Sequence, residues 1–212
     1  MPTTTSNGAL PNLHATIVRL IAQFDNISAV RKETLEALTA FVSNRTKSGQ
    51  KARLNFICTH NSRRSHISQL WAQAAAHFYG IKNVETFSGG TEATAFNPRA
   101  VTAMKHAGFD IHVIKEGTNP LYEVKFAHEA SPLRAFSKKY DDHVNPKNDF
   151  AAVMTCSHAD ENCPLIIGAA TRIALTYDDP KDFDGTPHET EKYLERVDEI
   201  GRDILYAFSK VR

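Results

Sequence analysis

The stretch Leu54-Asn55-Phe56-Ile57-Cys58-Thr59-His60-Asn61-Ser62-Arg63-Arg64-Ser65 decides how the chain reads. Leu54 to Ile57 is a short, mostly apolar run of the kind a buried strand takes. Cys58 ends it. Five residues separate Cys58 from Arg64, and from Ser65 to Tyr79 the pattern is helical, with Gly80 as its stop. A strand-to-helix turn of this length can curl its backbone N–H groups around a tetrahedral anion. The helix N-terminus and the Arg64 guanidinium both favour negative charge there. The same field favours the thiolate of Cys58, which is the nucleophilic form. Arg64 suits its place because a planar fork can hold two anion oxygens at once. Ser65 can donate its hydroxyl to the thiolate. Asn61 tolerates a left-handed conformation and can bond backbone groups that fix the loop's shape. Thr59, His60, Asn61, Ser62, Arg63, Arg64 and Ser65 are therefore the candidate oxyanion-binding residues. A Cys-x5-Arg pair by itself also fits a buried strand-end cysteine beside a surface arginine; its position between strand and helix favours chemistry. The Gly-x4-Gly-Lys pattern of nucleotide-binding loops is missing, which argues against a nucleoside triphosphatase.

Outward from this unit the chain keeps an α/β rhythm. Val84 to Ser88 reads as a second strand, followed by Gly89-Gly90. Asn97-Pro98 opens a helix with a capping Asn and a first-turn Pro, and Gly108 ends it. Ala151 to Thr155 and Arg172 to Thr176 read as third and fourth strands, and a long helix runs from about Glu189 to Phe208. Alternating strands and helices predict a four-stranded parallel sheet with helices on both faces. Leu121 to Phe126 and Leu133 to Ser137 break the rhythm and read as a β-hairpin insertion near residues 117–147. Upstream, residues 1–12 are polar and read as a frayed tail. Two helical patterns follow, about His14 to Phe24 and Ser28 to Asn44, each with one apolar face, and Arg45 to Gln50 reads as a linker. Residues 1–50 are thus expected to be a tail and helical hairpin added to a catalytic domain at 51–212. The hairpin reads as a structural cover, with a regulatory module as the alternative.

Composition sets outer bounds. The chain has 212 residues, 42% hydrophobic and 23% charged, enough to bury a full core without disulfides or structural metal. A net charge of +1 gives no broad field for nucleic acid or membrane. Met1 to Leu13 is polar and lacks the start of a secretory signal, and no apolar run has a membrane span's length, so a cytoplasmic protein is expected. In that compartment the three cysteines read as reactive, metal-binding or buried thiols rather than staples.

Two further elements bear on chemistry. Displacement at the centre of a tetrahedral oxyanion needs a proton for the departing oxygen, and a carboxyl on a mobile loop can supply it. Tyr177-Asp178-Asp179-Pro180 offers two carboxyls, although an isolated Asp-Asp-Pro would simply be a turn; one could act as the acid and the other, Asp178 if Asp179 is the acid, is expected to cap or orient the loop. Cys156 ends the third strand on the same carboxyl edge as Cys58, the edge where open α/β folds bind ligands. Cys163 lies seven residues on, two helical turns or about 10 Å away, too far for a disulfide unless the segment unwinds. Two passive buried thiols are the plain alternative. A metal site is disfavoured because no paired C-x2-C occurs. His66, His77, His106 and His188 read as surface or packing residues, and Trp71 and Phe78 as packing of the first helix on the sheet.

Cys58 to Ser65 resembles the phosphate loop of low-molecular-weight protein tyrosine phosphatases and of the thioredoxin-coupled arsenate reductases built on that fold. The resemblance runs from about Leu54 to Phe208. Ser88-Gly89-Gly90-Thr91 and Asn97-Pro98-Arg99-Ala100-Val101 resemble the family's second strand and next helix, and Tyr177 to Pro180 its acid loop. Cys156-Ser157-His158-Ala159-Asp160-Glu161-Asn162-Cys163-Pro164 is similar to the redox segment of the reductases. The family often has Gly where His60 stands, and the reductases often a second Cys where Arg63 stands. His60 should crowd the loop or lean outward. In related reductases a Glu at the position of Gln69 helps hold potassium, so no metal ligand is assigned here.

The resemblance implies that Cys58 attacks arsenate held by Arg64 and the loop amides, with Asp179 as acid. Cys156 then attacks Cys58, and Cys163 attacks Cys156. It implies no tightly bound cofactor, an inorganic oxyanion (phosphate, sulfate or arsenate) in the loop, and a thioredoxin-like protein as electron donor. The first rival is a phosphotyrosine phosphatase using Cys58, Arg64 and Asp179 alone. Such phosphatases often carry aromatics after the Asp-Pro, whereas Lys181-Asp182 follow here, which favours a small anion. The second rival is a non-catalytic oxyanion-binding regulatory module, motivated by the added helices and opposed by the intact acid loop.

Overall fold

A computed structural model describes residues 8–162 and 165–212. Its elements are α1 (Pro11–Ile21), α2 (Ala29–Lys47), β1 (Ala52–Cys58), α3 (Arg64–Phe78), β2 (Val84–Gly90), α4 (Pro98–His106), β3 (Asp110–Lys115), β4 (Leu121–Lys125), β5 (Leu133–Ala135), β6 (Phe150–Met154), α5 (Ser157–Asn162), β7 (Ala169–Ala174) and α6 (Glu189–Ser209). The main sheet is four-stranded in the order β2-β1-β6-β7, all parallel. The predicted α/β architecture is the one observed.

Period-two alternation in the central strands divides the interior into two layers. Leu54 and Phe56 of β1 and Ala151 and Val153 of β6 face the large core, which includes Ile67, Leu70 and Trp71 of α3 and Val197, Ile200 and Ile204 of α6. Ile57 of β1, with Ala152 and Met154 of β6, faces a smaller cluster on the other side, which Cys58 at the end of β1, Cys156, Ala159 of α5 and Ile166 complete. Both cysteines therefore sit in the same small apolar layer. The N-terminal helices share the large core: Leu13, Ile17 and Leu20 of α1 and Leu35, Leu38 and Val42 of α2 have no exposed surface. Both pack on α6. Gly201 makes room in α6, since a Cβ there would stand 2.6 Å from the Trp71 ring.

Four segments differ from the sequence reading. The described end of the expected frayed tail is pinned, with Ala9 bridged to Ala127 and α1 starting at Pro11. Arg45 to Lys47 continue α2 instead of forming a linker. The fourth strand lies at Ala169–Ala174, slightly earlier than expected. The insertion is not a lone hairpin: β3 joins β4 and β5 in an antiparallel three-stranded sheet. Among the described residues no helix is long and apolar enough to cross a membrane.

Candidate active site

Cys58 is the last residue of β1, and Arg64 the first of α3. The connecting loop is fixed from outside. Its carbonyls are taken by neighbours: Cys58 by the Thr91 N–H, Thr59 by the Glu92 N–H, and Ser62 by the Asn97 N–H, at 2.8–3.1 Å. The His60 carbonyl accepts from Thr94 Oγ1 and Ser137 Oγ. Because a trans peptide points its C=O and N–H in opposite directions, these bonds turn the N–H groups of Thr59, His60, Asn61 and Arg63 away from those partners. That is the arrangement a backbone anion nest requires. Gly90 permits the approach of β2: a Cβ there would meet Asn61 N and Thr59 O at 2.6 Å.

Asn61 is the internal brace. It is fully buried at φ +44, the left-handed conformation expected of it. Its amide donates to Ser65 Oγ at 2.9 Å and accepts from the Lys138 N–H at 2.9 Å. Ser65 Oγ in turn lies 3.1 Å from Cys58 Sγ. His60 leans outward, half-exposed, with Nε2 3.7 Å from Glu92. His66 is fully buried and stacked on Phe96, with Nδ1 3.3 Å from Ser88 Oγ. Burial, joined by the charge of Lys138, holds His66 well below its ordinary pKa.

Asp179 comes to the same edge from the end of β7. It receives two arginines. Arg64 Nη2 donates to Oδ2 at 2.7 Å, while Arg64 Nη1 donates to the Tyr177 carbonyl at 2.8 Å. Arg63 donates through Nε to Oδ1 at 2.8 Å and through Nη2 to Oδ2 at 3.4 Å. Burial pushes the Asp179 carboxyl up, but the charge of Arg64 and the bond and charge of Arg63 outweigh it and hold it below the usual carboxylate range. Asp179 also caps the short 3-10 turn Pro180–Phe183 by accepting from the Lys181 N–H. Asp178 does not cap or orient the loop as expected. Its side chain is 97% exposed and 3.8 Å from Arg196, because the backbone that turns Asp179 inward turns Asp178 to solvent.

Cys156 is 1% exposed. Its Sγ accepts from the Ala159 N–H and lies 3.6 Å from the hydroxyl of Thr59, the residue after Cys58. Thr59 Oγ1 also lies 3.4 Å from His158 Nδ1. Cys163, the expected outer thiol, lies outside the described residues. Among the described residues no group of three or more His, Cys, Asp or Glu could hold a metal ion. Gln69 instead donates to the Thr86 carbonyl. The supporting roles of Ser137 and Lys138, from the inserted region, carried no sequence signal.

The model of the family "Low molecular weight phosphotyrosine protein phosphatase" matches residues 53–124. The chain belongs to that superfamily, which it shares with arsenate reductases. It is 32% identical to an arsenate reductase of Bacillus licheniformis over 155 residues, covering 73% of this chain and 93% of the relative. It is 30% identical to an arsenate reductase of Bacillus subtilis over 150 residues, covering 70% and 89%. A solved low molecular weight phosphotyrosine phosphatase from Vibrio cholerae O395 superposes with a TM-score of 0.48 at 12% identity, over 74% of this chain and 94% of that one.

Proposed function

We propose that this chain is an arsenate reductase of the cysteine-relay type. The observation that carries the reading is the placement of a second thiol: Cys156, buried in the same small layer as Cys58 and 3.6 Å from the Thr59 hydroxyl. A phosphatase needs Cys58, Arg64 and Asp179 and has no use for that thiol. The relatives named as arsenate reductases support the same choice.

In this reading the Cys58 thiolate attacks arsenic, forming an S–As bond. An arsenate oxygen departs as water; Arg63 and Arg64 hold Asp179 ionised in the anion-free site, so Asp179 gives that oxygen a proton taken up at Oδ2 once Arg64 turns to the anion. The Cys156 thiolate then attacks Cys58 Sγ. An S–S bond forms and the S–As bond breaks, leaving its electron pair on arsenic, which departs as arsenite. Cys163 attacks Cys156, frees Cys58 and carries the disulfide outward. A thioredoxin-like dithiol returns it to two thiols by exchange. Arg64 and the loop N–H groups hold the oxyanion throughout. The three thiols thus supply and pass on the two electrons that arsenate gains.

The test is side-by-side turnover of arsenate, with thioredoxin supplied, and of p-nitrophenyl phosphate. Thioredoxin-dependent arsenite release is the expected result. Brisk aryl phosphate hydrolysis without arsenate turnover would replace this reading with the phosphatase one. Neither activity, with phosphate still bound, would leave the oxyanion-binding module.

A further inference from the structure

Asp179 has two arginine partners that face different demands. Arg64 opens the helix after the loop and is the ligand expected for the oxyanion, so an anion in the loop draws on the same guanidinium that holds Asp179 and the Tyr177 carbonyl. Arg63 lies against both carboxylate oxygens, and among the described residues its side-chain hydrogen bonds go to Asp179. It is 8% exposed, so its charge is desolvated and its geometry held by packing. It stands at the N-cap position of α3 without capping the helix, with its side chain committed to the acid loop 116 residues away.

We propose that Arg63 is a positioning residue: its fork keeps the acid loop, through Asp179, seated over the oxyanion loop when Arg64 is drawn to the anion. The inference rests on the oxyanion-loop reading but is indifferent to whether that loop reduces arsenate or hydrolyses a phosphate ester, since both need Asp179 in place. The charged and titratable surroundings are consistent with it. Besides the two arginines, Tyr193 and Asp184 lie nearby, joined to each other by a 2.8 Å hydrogen bond, and Arg99 reaches Asp184 at 3.8 Å from α4. Tyr193 is held protonated far above its ordinary value by burial and by Asp184, so it adds no charge at neutral pH. Asp184 accepts from Tyr193 and faces Arg99, so it does not replace Arg63 as a donor to Asp179. Arg63 thus remains as the second cation on that carboxylate.

Amide hydrogen exchange over residues 178–184, with and without saturating phosphate, separates this role from a plain tether. In the unaltered protein phosphate should leave exchange there unchanged or slower. In Arg63→Gln, exchange should rise on phosphate saturation by on the order of tenfold, the factor that loss of a charge-assisted hydrogen bond produces. Arg63→Lys keeps the charge but not the fork, so its rise should be smaller, and it serves if the Gln variant does not fold. Exchange that is the same in variant and unaltered protein with phosphate present would overturn the proposal. So would an acceleration equal with and without phosphate, which would make Arg63 a static strut. Phosphate binding by the unaltered protein, measured by calorimetry, tests the oxyanion loop separately; its absence would remove the basis of both readings.

Discussion

The two loops that meet at the sheet's carboxyl edge are built on different principles. The Cys58–Ser65 loop is held by neutral hydrogen bonds to its carbonyls, by the buried Asn61 amide, and by the close approach of Gly90. Nothing in that scaffold has to change when an anion arrives. The Asp179 loop is held chiefly by charge: its carboxylate takes donors from Arg63 and Arg64, and its capping turn is short. Charge pairs can exchange one anion for another, whereas a backbone cradle cannot without unfolding. The difference teaches that preorganisation belongs to the Cys58 loop and adjustability to the Asp179 loop.

The sharpest break in that comparison is Cys58→Ser. It should abolish arsenate turnover and aryl phosphate hydrolysis alike while leaving phosphate affinity, since the cradle does not depend on the thiol. Calorimetry beside the two rate assays checks it. Asp179→Asn should slow the first chemical step by roughly 10²–10⁴-fold, the range of a lost general acid. Single-turnover release of arsenite measures this, and the loss should shrink for leaving groups that need no proton. Asp178→Asn, on an exposed side chain, should stay near the unaltered rate; the opposite ranking would exchange the two roles.

Asn61→Ala attacks the cradle directly. It leaves the Lys138 N–H unpaired in a buried place, at about 1–3 kcal/mol, and asks a residue with a plain Cβ to stay at positive φ. Urea unfolding should show the loss. The smallest effect concerns pH. Asp179 is held below the pKa of an unfolded aspartate, about 3.9. Its pairing therefore stabilises fully above about pH 3.9 and is lost as pH falls through the lower folded value. Asp179→Asn should flatten the urea midpoint in that acid window and leave neutral-pH slopes unchanged. An identical acid profile in both proteins would show that Asp179 is not tied by charge.

The cradle was legible in the sequence because its information is local: a strand-end Cys, an Asn that tolerates left-handed backbone, and Arg-Ser at a helix start lie within eight residues. The arrival of Asp179 beside that loop was legible through Asp-Pro. What holds Asp179 there was not. Arg63 and Asp179 are 116 residues apart, and nothing in either neighbourhood signals the pair. Ser137 and Lys138 were hidden in the same way, since both act on the loop across 77 residues. β3 escaped because Asp110 and Lys115 bound it with charge and its side chains are mostly exposed, so no alternation of buried and polar residues marks it. β7 read late because Leu175 and Tyr177 stay buried after its ladder ends.

The most direct measurement is peptide mapping of thiols after one equivalent of arsenate, without external reductant. The unaltered protein should release arsenite and lose two thiols to a disulfide between Cys156 and Cys163. Cys163→Ser should trap a Cys58–Cys156 disulfide, and Cys156→Ser should form neither. Trapping requires those two Cα atoms to come within about 7 Å of each other. If all three thiols stay free in the presence of arsenate while aryl phosphate is hydrolysed, the chain is a phosphatase, and the second thiol beside Thr59 is only a packed side chain.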